Sequence, residues 1–383
     1  MKTKRMIPII SALLLLSACS GGQESSSSEP PVYNNAQYST MSDPREHEGA
    51  GTPESPSVSQ ESTESVSDNS TADVPSTIEP PEFSAVSVKQ IARGNTFEEN
   101  ASFGHFCAVD NGYYFVDLNN GFLYFTDKSG NTKTVLEDYV RALNYYDGYL
   151  YYIKGTKKEF LSDETFYAGS IWRLDPVSGE EVLLIEVPEN LSLNVNEYGI
   201  FCDPKNGGGI ALYDFDGNEL RIISDINQDI CIIGNAILLR KSDKTVLCDL
   251  DTGEETDFPS DLSFSACTGD KLVCFYMSDP WDKIVLDMST GEAAVLPHCM
   301  TNQFTVLNGE LYTVDTQNLY RVDFEKMTYE SIISYPLGNA VYFLDLHSDG
   351  ERLYTVMGNN QANAYRYAEV DIENGELKYP EGQ

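Results

Sequence analysis

The chain carries 60 acidic residues but only four histidines, and some of the acids recur in a pattern that invites a chemical reading. Asp127, Asp175, Asp214, Asp249, Asp287, Asp323 and Asp371 stand 48, 39, 35, 38, 36 and 48 residues apart. A ring of carboxylates so spaced would suit a metal or catalytic site. Each of them, however, precedes a short turn usually ending in Gly, where an Asp side chain accepts hydrogen bonds from turn amides; that structural role is the expectation here. Asp214-Phe215-Asp216-Gly217 begins like a calcium loop but lacks the further oxygen ligands and the bidentate Glu at the required distance. His47, His105, His298 and His347 are scattered, without the HxH or HExxH spacing that places two imidazoles on one metal. No nucleophile elbow, phosphate-cradling loop or cysteine–histidine pairing is legible. The sequence therefore points to no catalytic residue, no metal and no cofactor.

The residues around these acids form a repeated phrase. An apolar or aromatic run, the Asp, a turn and a second run return as FLYFTDKSGNTKTVL, SIWRLDPVSGEEVLL, IALYDFDGNELRII, TVLCDLDTGEETDF, KIVLDMSTGEAAVL, NLYRVDFEKMTYESI and AYRYAEVDIENGELKY. A further hairpin precedes each copy, with its turn at Asn111-Gly112, Asp147-Gly148, Glu197-Tyr198-Gly199, Gly234-Asn235, Gly269-Asp270, Asn308-Gly309 or Asp349-Gly350. Asn-Gly and Asp-Gly supply the positive φ that tight hairpins need. Alternation with period two, as in Tyr149 to Ile153, marks strands. Four strands repeated about every 40 residues predict an all-β fold, a β-propeller of about seven four-stranded blades, with six or eight as the alternatives. Val86 to Ala92 could supply a closing outer strand or start a partial eighth blade. A β-sandwich would have no reason to repeat a four-strand phrase.

In such a ring, binding residues are expected where loops interrupt the compact repeat. The connection between the second and third strands is enlarged in blade two (155–169), blade five (277–282) and blade seven (358–363). The first insert holds Lys157, Phe160, Phe166 and Tyr167, the second Asp279 and Trp281, the third Asn359 and Asn360. Aromatics beside charged or amide groups are what recognition surfaces use. Phe160 and Trp281 could equally pack on their own loops.

The turns Leu250-Asp251-Thr252-Gly253-Glu254 and Met288-Ser289-Thr290-Gly291-Glu292 resemble repeats of the quinoprotein-like propeller superfamily. Asn144-Tyr145-Tyr146-Asp147-Gly148-Tyr149-Leu150-Tyr151-Tyr152 is similar to the receptor-like propellers of bacterial lipoproteins. The resemblance covers roughly 104–379 and implies a fold rather than a chemistry. The Trp that closes quinoprotein-like repeats is replaced by Leu184, Phe258 and Leu296, so no cofactor is implied.

The N-terminus reads as an address. Lys2, Lys4 and Arg5 precede an apolar run, Ile7 to Leu16, too short to span a bilayer. Leu16-Ser17-Ala18-Cys19 resembles the lipobox of bacterial lipoproteins, which implies acylation at Cys19 and removal of the preceding residues. Two acyl chains anchor firmly, at about 0.8 kcal/mol per buried methylene. Residues 20–82 are rich in Ser, Glu, Pro and Thr, with twelve acids against Arg45 alone. Such a segment buries too little apolar area to offset its ordering entropy and reads as a disordered tether. Residues 83–383 form the propeller domain.

The net charge of −35 argues against nucleic acid and anionic lipid headgroups as partners. Membrane contact is expected through lipid alone, on the outer face of the cell membrane. Cys107, Cys202, Cys231, Cys248, Cys267, Cys274 and Cys299 lack CxxC spacing and mostly sit in apolar runs, as buried thiols do, with a Cys231–Cys267 bridge as the alternative. The expected function is that of a monomeric binding or scaffolding lipoprotein whose propeller face meets a protein or glycan. The alternative is an envelope glycan lyase or hydrolase, marked by two carboxylates about 5 to 10 Å apart at the channel mouth.

Overall fold

A computed structural model describes residues 79–101, 104–155, 169–186, 192–204, 208–226, 228–297, 303–336, 340–359, 362 and 364–379. All belong to the second of the two units into which the chain divides, Asn69–Gln383. They form a seven-bladed β-propeller, each blade an antiparallel meander in strand order one to four. Blade one is β1–β4 (Phe106–Val109, Gly112–Val116, Leu123–Asp127, Thr132–Leu136) and blade two β5–β8 (Tyr139–Tyr146, Tyr149–Gly155, Ser170–Leu174, Glu181–Ile185). Blade three is β9–β12 (Asn194–Asn196, Gly199–Cys202, Ile210–Tyr213, Glu219–Ser224) and blade four β13–β16 (Ile232–Ile233, Ala236–Arg240, Thr245–Asp249, Glu255–Phe258). Blade five is β17–β20 (Leu262–Thr268, Lys271–Tyr276, Asp279–Asp287, Ala293–Leu296) and blade six β21–β24 (Phe304–Leu307, Glu310–Val314, Asn318–Asp323, Thr328–Ser334). Blade seven is β25–β28 (Val341–Ser348, Leu353–Asn359, Ala364–Asp371, Glu376–Lys378). One short helix, α1 (Phe97–Ala101), precedes them.

The turn chemistry sets the registers. Asp147 and Gly148 both take positive φ (49° and 85°) and join Tyr146 to its partner Tyr149. Asn308 and Gly309 do the same between Leu307 and Glu310. With four strands per blade, every first and third turn opens on one face of the ring. The second-to-third loops and the blade-to-blade connections open on the other.

Alternation along the strands then builds the core at the seams between blades. In β11, Ile210 and Leu212 join the seam with blade four while Ala211 and Tyr213 join the seam with blade two. Each of the seven seams holds its own cluster of buried apolar residues. First strands of neighbouring blades touch, as β1 with β5 and β21 with β25, so they line the axis.

The ring closes without a shared strand, since blade one comes wholly from the start of the domain and blade seven from its end. Their seam is the most aromatic: Phe106, Tyr113, Phe115, Tyr354 and Tyr367 pack together around Val356. Asn119 clasps Tyr365 twice, its Nδ2 donating to the Tyr365 carbonyl (3.0 Å) and its Oδ1 accepting from the Tyr365 amide (3.0 Å). The Tyr367 hydroxyl donates to the Val116 carbonyl (3.0 Å).

Residues 86–92 form neither an eighth blade nor a closing outer strand. They run as a strap across the blades: the Val86 amide donates to Met288 of blade five, the Lys89 amide to Asn235 Oδ1 of blade four, and the Ala92 amide to Glu197 of blade three. Asn235 joins the strap to its blade, its Oδ1 accepting from the Lys89 amide (2.7 Å) while its Nδ2 donates to Asp249 Oδ2 (2.6 Å). The strap then turns into the axis. Gly94 passes so close to β5 that a Cβ would come within 2.9 Å of the Asn144 Cβ, and α1 follows inside the channel, touching β17 and β21.

Candidate functional site

The seven repeated aspartates are turn residues. Asp127 Oδ1 accepts from the amides of Ser129 and Asn131, and Asp175 Oδ1 from Val177 and Ser178. Asp214, Asp249, Asp287 and Asp323 each accept two turn amides in the same way, and Asp371 accepts the Asn374 amide. Side-chain partners come first, namely Asn131, Ser178, Asn218, Ser289, Lys326 and Lys378, with the Thr252 amide first only at Asp249; together with the turn amides they favour the carboxylate, so all seven pKa values lie below the usual range. Their oxygens are engaged by their own turns and, at Asp249, Asp287 and Asp371, also by Asn235, Lys271 and Lys378. No group of three or more His, Cys, Asp or Glu suited to a metal occurs among the described residues.

Of the residues expected to bind a partner, Cys19, Lys157, Phe160, Phe166, Tyr167 and Asn360 lie outside the described residues. Asp279 and Trp281 fall within β19 rather than in a loop. Tyr276 pairs with Asp279 and Phe275 with Lys283, so the extra residues form a bulge in the strand, and only Met277 and Ser278 turn the chain. A bulge absorbs added residues while keeping the flanking ladder paired. Trp281 is half-buried, and the fully buried Lys283 reaches over the Phe275 ring (5.7 Å). Glu79 lies at the same end of blade five, its carbonyl accepting from the Tyr276 hydroxyl (3.1 Å). Asn359 ends β26, and its Oδ1 accepts from the Ala362 amide (3.1 Å). The second-to-third connections of blades one and three (117–122 and 203–209) outrun those of blades five and seven, and blade two's (156–169) is the longest. The expected loop of blade five is thus a strand bulge, while the inserts of blades two and seven lie largely outside the described residues.

The densest chemistry sits on the axis, in residues the sequence did not single out. Thr96 caps α1, its Oγ1 accepting from the Glu99 amide (3.1 Å), in a Thr-x-x-Glu arrangement. The helix carries Glu98 and Glu99 into the channel, where both are buried. Glu98 Oε1 accepts from the Cys267 amide (2.9 Å), and Glu99 Oε1 lies 2.7 Å from His347 Nδ1. Across the imidazole, Nε2 lies 3.5 Å from Asp345 Oδ2. Phe106 stacks on the His347 ring (5.0 Å between centroids, 10° between planes), and Tyr367 stacks at 5.9 Å. Asn95 Nδ2 donates to the carbonyls of Phe106 and Leu143 (both 2.7 Å), tying the segment to blades one and two.

Burial is the largest cause of the shifts here. It raises Glu98 and Asp345, and it lifts Glu99 to about 7 against the opposing pull of His347. Burial alone would lower His347, but Glu99 and Asp345 outweigh it and raise the imidazole to about 9. His105 falls to about 3 through loss of water and the charges of His347 and Arg141. Two signals in the sequence could have found the cluster: the Thr96–Glu99 capping box, and Asp345 and His347 two residues apart on one inner strand, hence on one face.

No protein-family model and no curated protein sequence matches the chain. Solved structures similar to it include a chain of a mitotic checkpoint complex (TM-score 0.48, 11% identity, 82% of this chain and 97% of that one). PorZ, a bacterial surface component of the type-IX secretion system of Porphyromonas gingivalis, is similar over 78% of this chain (TM-score 0.47, 12% identity). A puromycin-hydrolyzing peptidase of Mycobacterium tuberculosis is similar over 77% (TM-score 0.47, 10% identity). The present chain spans 39% and 55% of those two proteins.

Proposed function

We propose that the chain is a binding or scaffolding propeller held at the outer face of a cell membrane through Cys19, meeting a protein or glycan with the ring face that carries the second-to-third loops. The observation that carries this reading is the filled axis. The acids with raised pKa that an envelope glycan hydrolase would use at a channel mouth are here Glu99, on α1, and Asp345, on β25, and both are buried inside the ring. The partner surface assigned by this reading is the ring face of the second-to-third connections, of which blade two's is the longest and contains Lys157, Phe160, Phe166 and Tyr167 in its sequence. Trp281, half-buried in the bulge of blade five, is the second aromatic assigned to the partner in this reading.

The experiment compares the wild-type chain with Cys19→Ala, Phe166→Ala and Trp281→Ala. Cys19→Ala should move from the detergent-requiring membrane fraction to the medium or stay unprocessed. Screened against envelope glycans and surface proteins, an anchor truncation should weaken binding by about 2 kcal/mol or more while leaving the melting temperature near that of wild type. Unchanged membrane association, or full binding by both aromatic variants, would reject the corresponding half of the reading.

A further inference from the structure

We propose that residues 94–101 form a proton-linked lock on the ring axis: His347 of β25, held between Glu99 of α1 and Asp345, ties the channel segment to blade seven only while it carries its second proton. This inference stands apart from the ring-face reading above and does not depend on it.

The geometry leaves the imidazole no other way to satisfy its neighbours. An acid stands at each ring nitrogen, Glu99 at 2.7 Å and Asp345 at 3.5 Å, and an aromatic ring covers each face. The three polar side chains are nearly inaccessible to water, at 1%, 3% and 6% exposure for His347, Glu99 and Asp345. A charged imidazolium donates from both nitrogens; a neutral one donates from one and turns a lone pair toward the other acid. Among the described residues Glu99 Oε2 and His347 Nε2 make no hydrogen bond, so Asp345 is held at 3.5 Å by the charge of the ring rather than by a hydrogen bond. Loss of the proton therefore sets buried carboxylates against a ring that compensates only one of them.

The other groups around the site do not supply the missing charge. Glu98 adds a second acid from α1; His105 and Cys107 approach from the start of blade one. Tyr113 and Tyr354 pack against Phe106, and Tyr367 lies over the imidazole. Two further cations lie near: the charge of Arg141 of β5 acts on His105 and that of Arg93 on Glu98.

The sign follows from the shifts. His347 rises from 6.5 to about 9 on folding, and Glu99 from 4.5 to about 7. Groups raised in the folded state stabilise it fully below their unfolded values and lose that effect as pH climbs through the folded ones. The lock is closed in acid and loosens in alkali.

Hydrogen exchange of the full-length chain, followed by mass spectrometry from pH 6 to 10 and corrected for intrinsic rates, tests this. The opening of residues 94–101, whose Gly94 and Asn100 amides donate to Val195 and Thr96 carbonyls, should rise about tenfold per pH unit between pH 7 and 9, the slope for one released proton. The blade strands should not follow. His347→Gln should flatten the profile, and Glu99→Gln should move its midpoint down by about one unit or more. If either variant fails to fold, the wild-type imidazole resonance of His347 decides, since it should titrate well above an ordinary histidine. A flat wild-type profile, exchange of all blades in step, or a His347 that titrates near its ordinary value would overturn the lock.

Discussion

The rim of the propeller and its axis use the same side chain to opposite ends. On the rim, seven aspartates stand in water at the third turn of each blade, and each accepts amides of its own turn. On the axis, Glu98, Glu99 and Asp345 are stripped of water, and their neighbours come from α1, β17 and β25. The rim acids are pushed below the usual carboxylate range and the axial acids above it. Periodicity in the sequence therefore locates the acids that build turns. The acids with unusual chemistry are aperiodic, because the axis of a ring is made once while its turns are made seven times.

The largest difference between the two regions should appear on removing one axial partner. His347→Ala leaves Glu99 and Asp345 buried without the cation between them, and breaking a buried ionic arrangement in this way costs about 3 to 5 kcal/mol. Denaturant unfolding at pH 7 should show that loss. The loss should shrink near pH 5, where the two acids take up protons instead. A variant as stable as wild type at pH 7 would mean that the axis is not organised around the imidazole.

A second test reads both regions in one titration. The rim groups have folded pKa values below the unfolded 3.8, down to about 2 for Asp371, where Lys378 and Asn374 favour the carboxylate. Their contribution is present above the unfolded value and is lost as pH falls through the folded ones. Glu99 and His347 on the axis contribute in the reverse sense, with losses as pH climbs through about 7 and then about 9, while His105, held neutral down to about 3, adds its own loss to the acid flank. Melting temperature should thus peak on the acid side of neutrality, between about pH 4 and 7, and fall on both flanks. In Glu99→Gln the alkaline flank should change and the acid flank stay as it is. Movement of the acid flank would break the separation of the rim acids and His105 from the Glu99–His347 pair.

The fold was legible because its signals repeat. Asn308-Gly309 and Asp147-Gly148 fix two-residue turns, and alternation in runs such as Ile210 to Tyr213 feeds two seams at once. The strap was not legible, because residues 86–92 bond through isolated backbone groups to three blades and carry no pattern of their own. Blade five shows the opposite error. Extra residues between two strands read as a loop, yet Asp279 pairs with Tyr276 and the surplus becomes a bulge, since ladder bonds on both sides hold the strand extended. His347 was visible as a lone histidine; its meaning depends on a helix 248 residues earlier in the chain, which no local pattern connects to it.

The smallest expected effect lies on the rim, and it sharpens the comparison because the residue is so well bonded. Asp175 Oδ1 accepts from the Val177 amide (2.8 Å) and the Ser178 amide (3.2 Å), while Oδ2 accepts from the Ser178 hydroxyl (2.8 Å). Those bonds lower its pKa, the Ser178 side chain first, yet each competes with water that is already present. Asp175→Asn keeps the Oδ1 acceptor and can donate to Ser178 Oγ in place of accepting from it, so the turn survives with its charge removed. Melting should move by less than about 1 °C for Asp175→Asn and by about 1 to 2 °C for Asp175→Ala, little for a domain of this size. The Asp175→Ala deficit should diminish in strong acid, where wild-type Asp175 is itself protonated. Differential scanning calorimetry at pH 7 and at successive steps into acid would measure both. An Asp175→Ala loss comparable with that of His347→Ala would show that rim acids carry structural weight beyond their own turns.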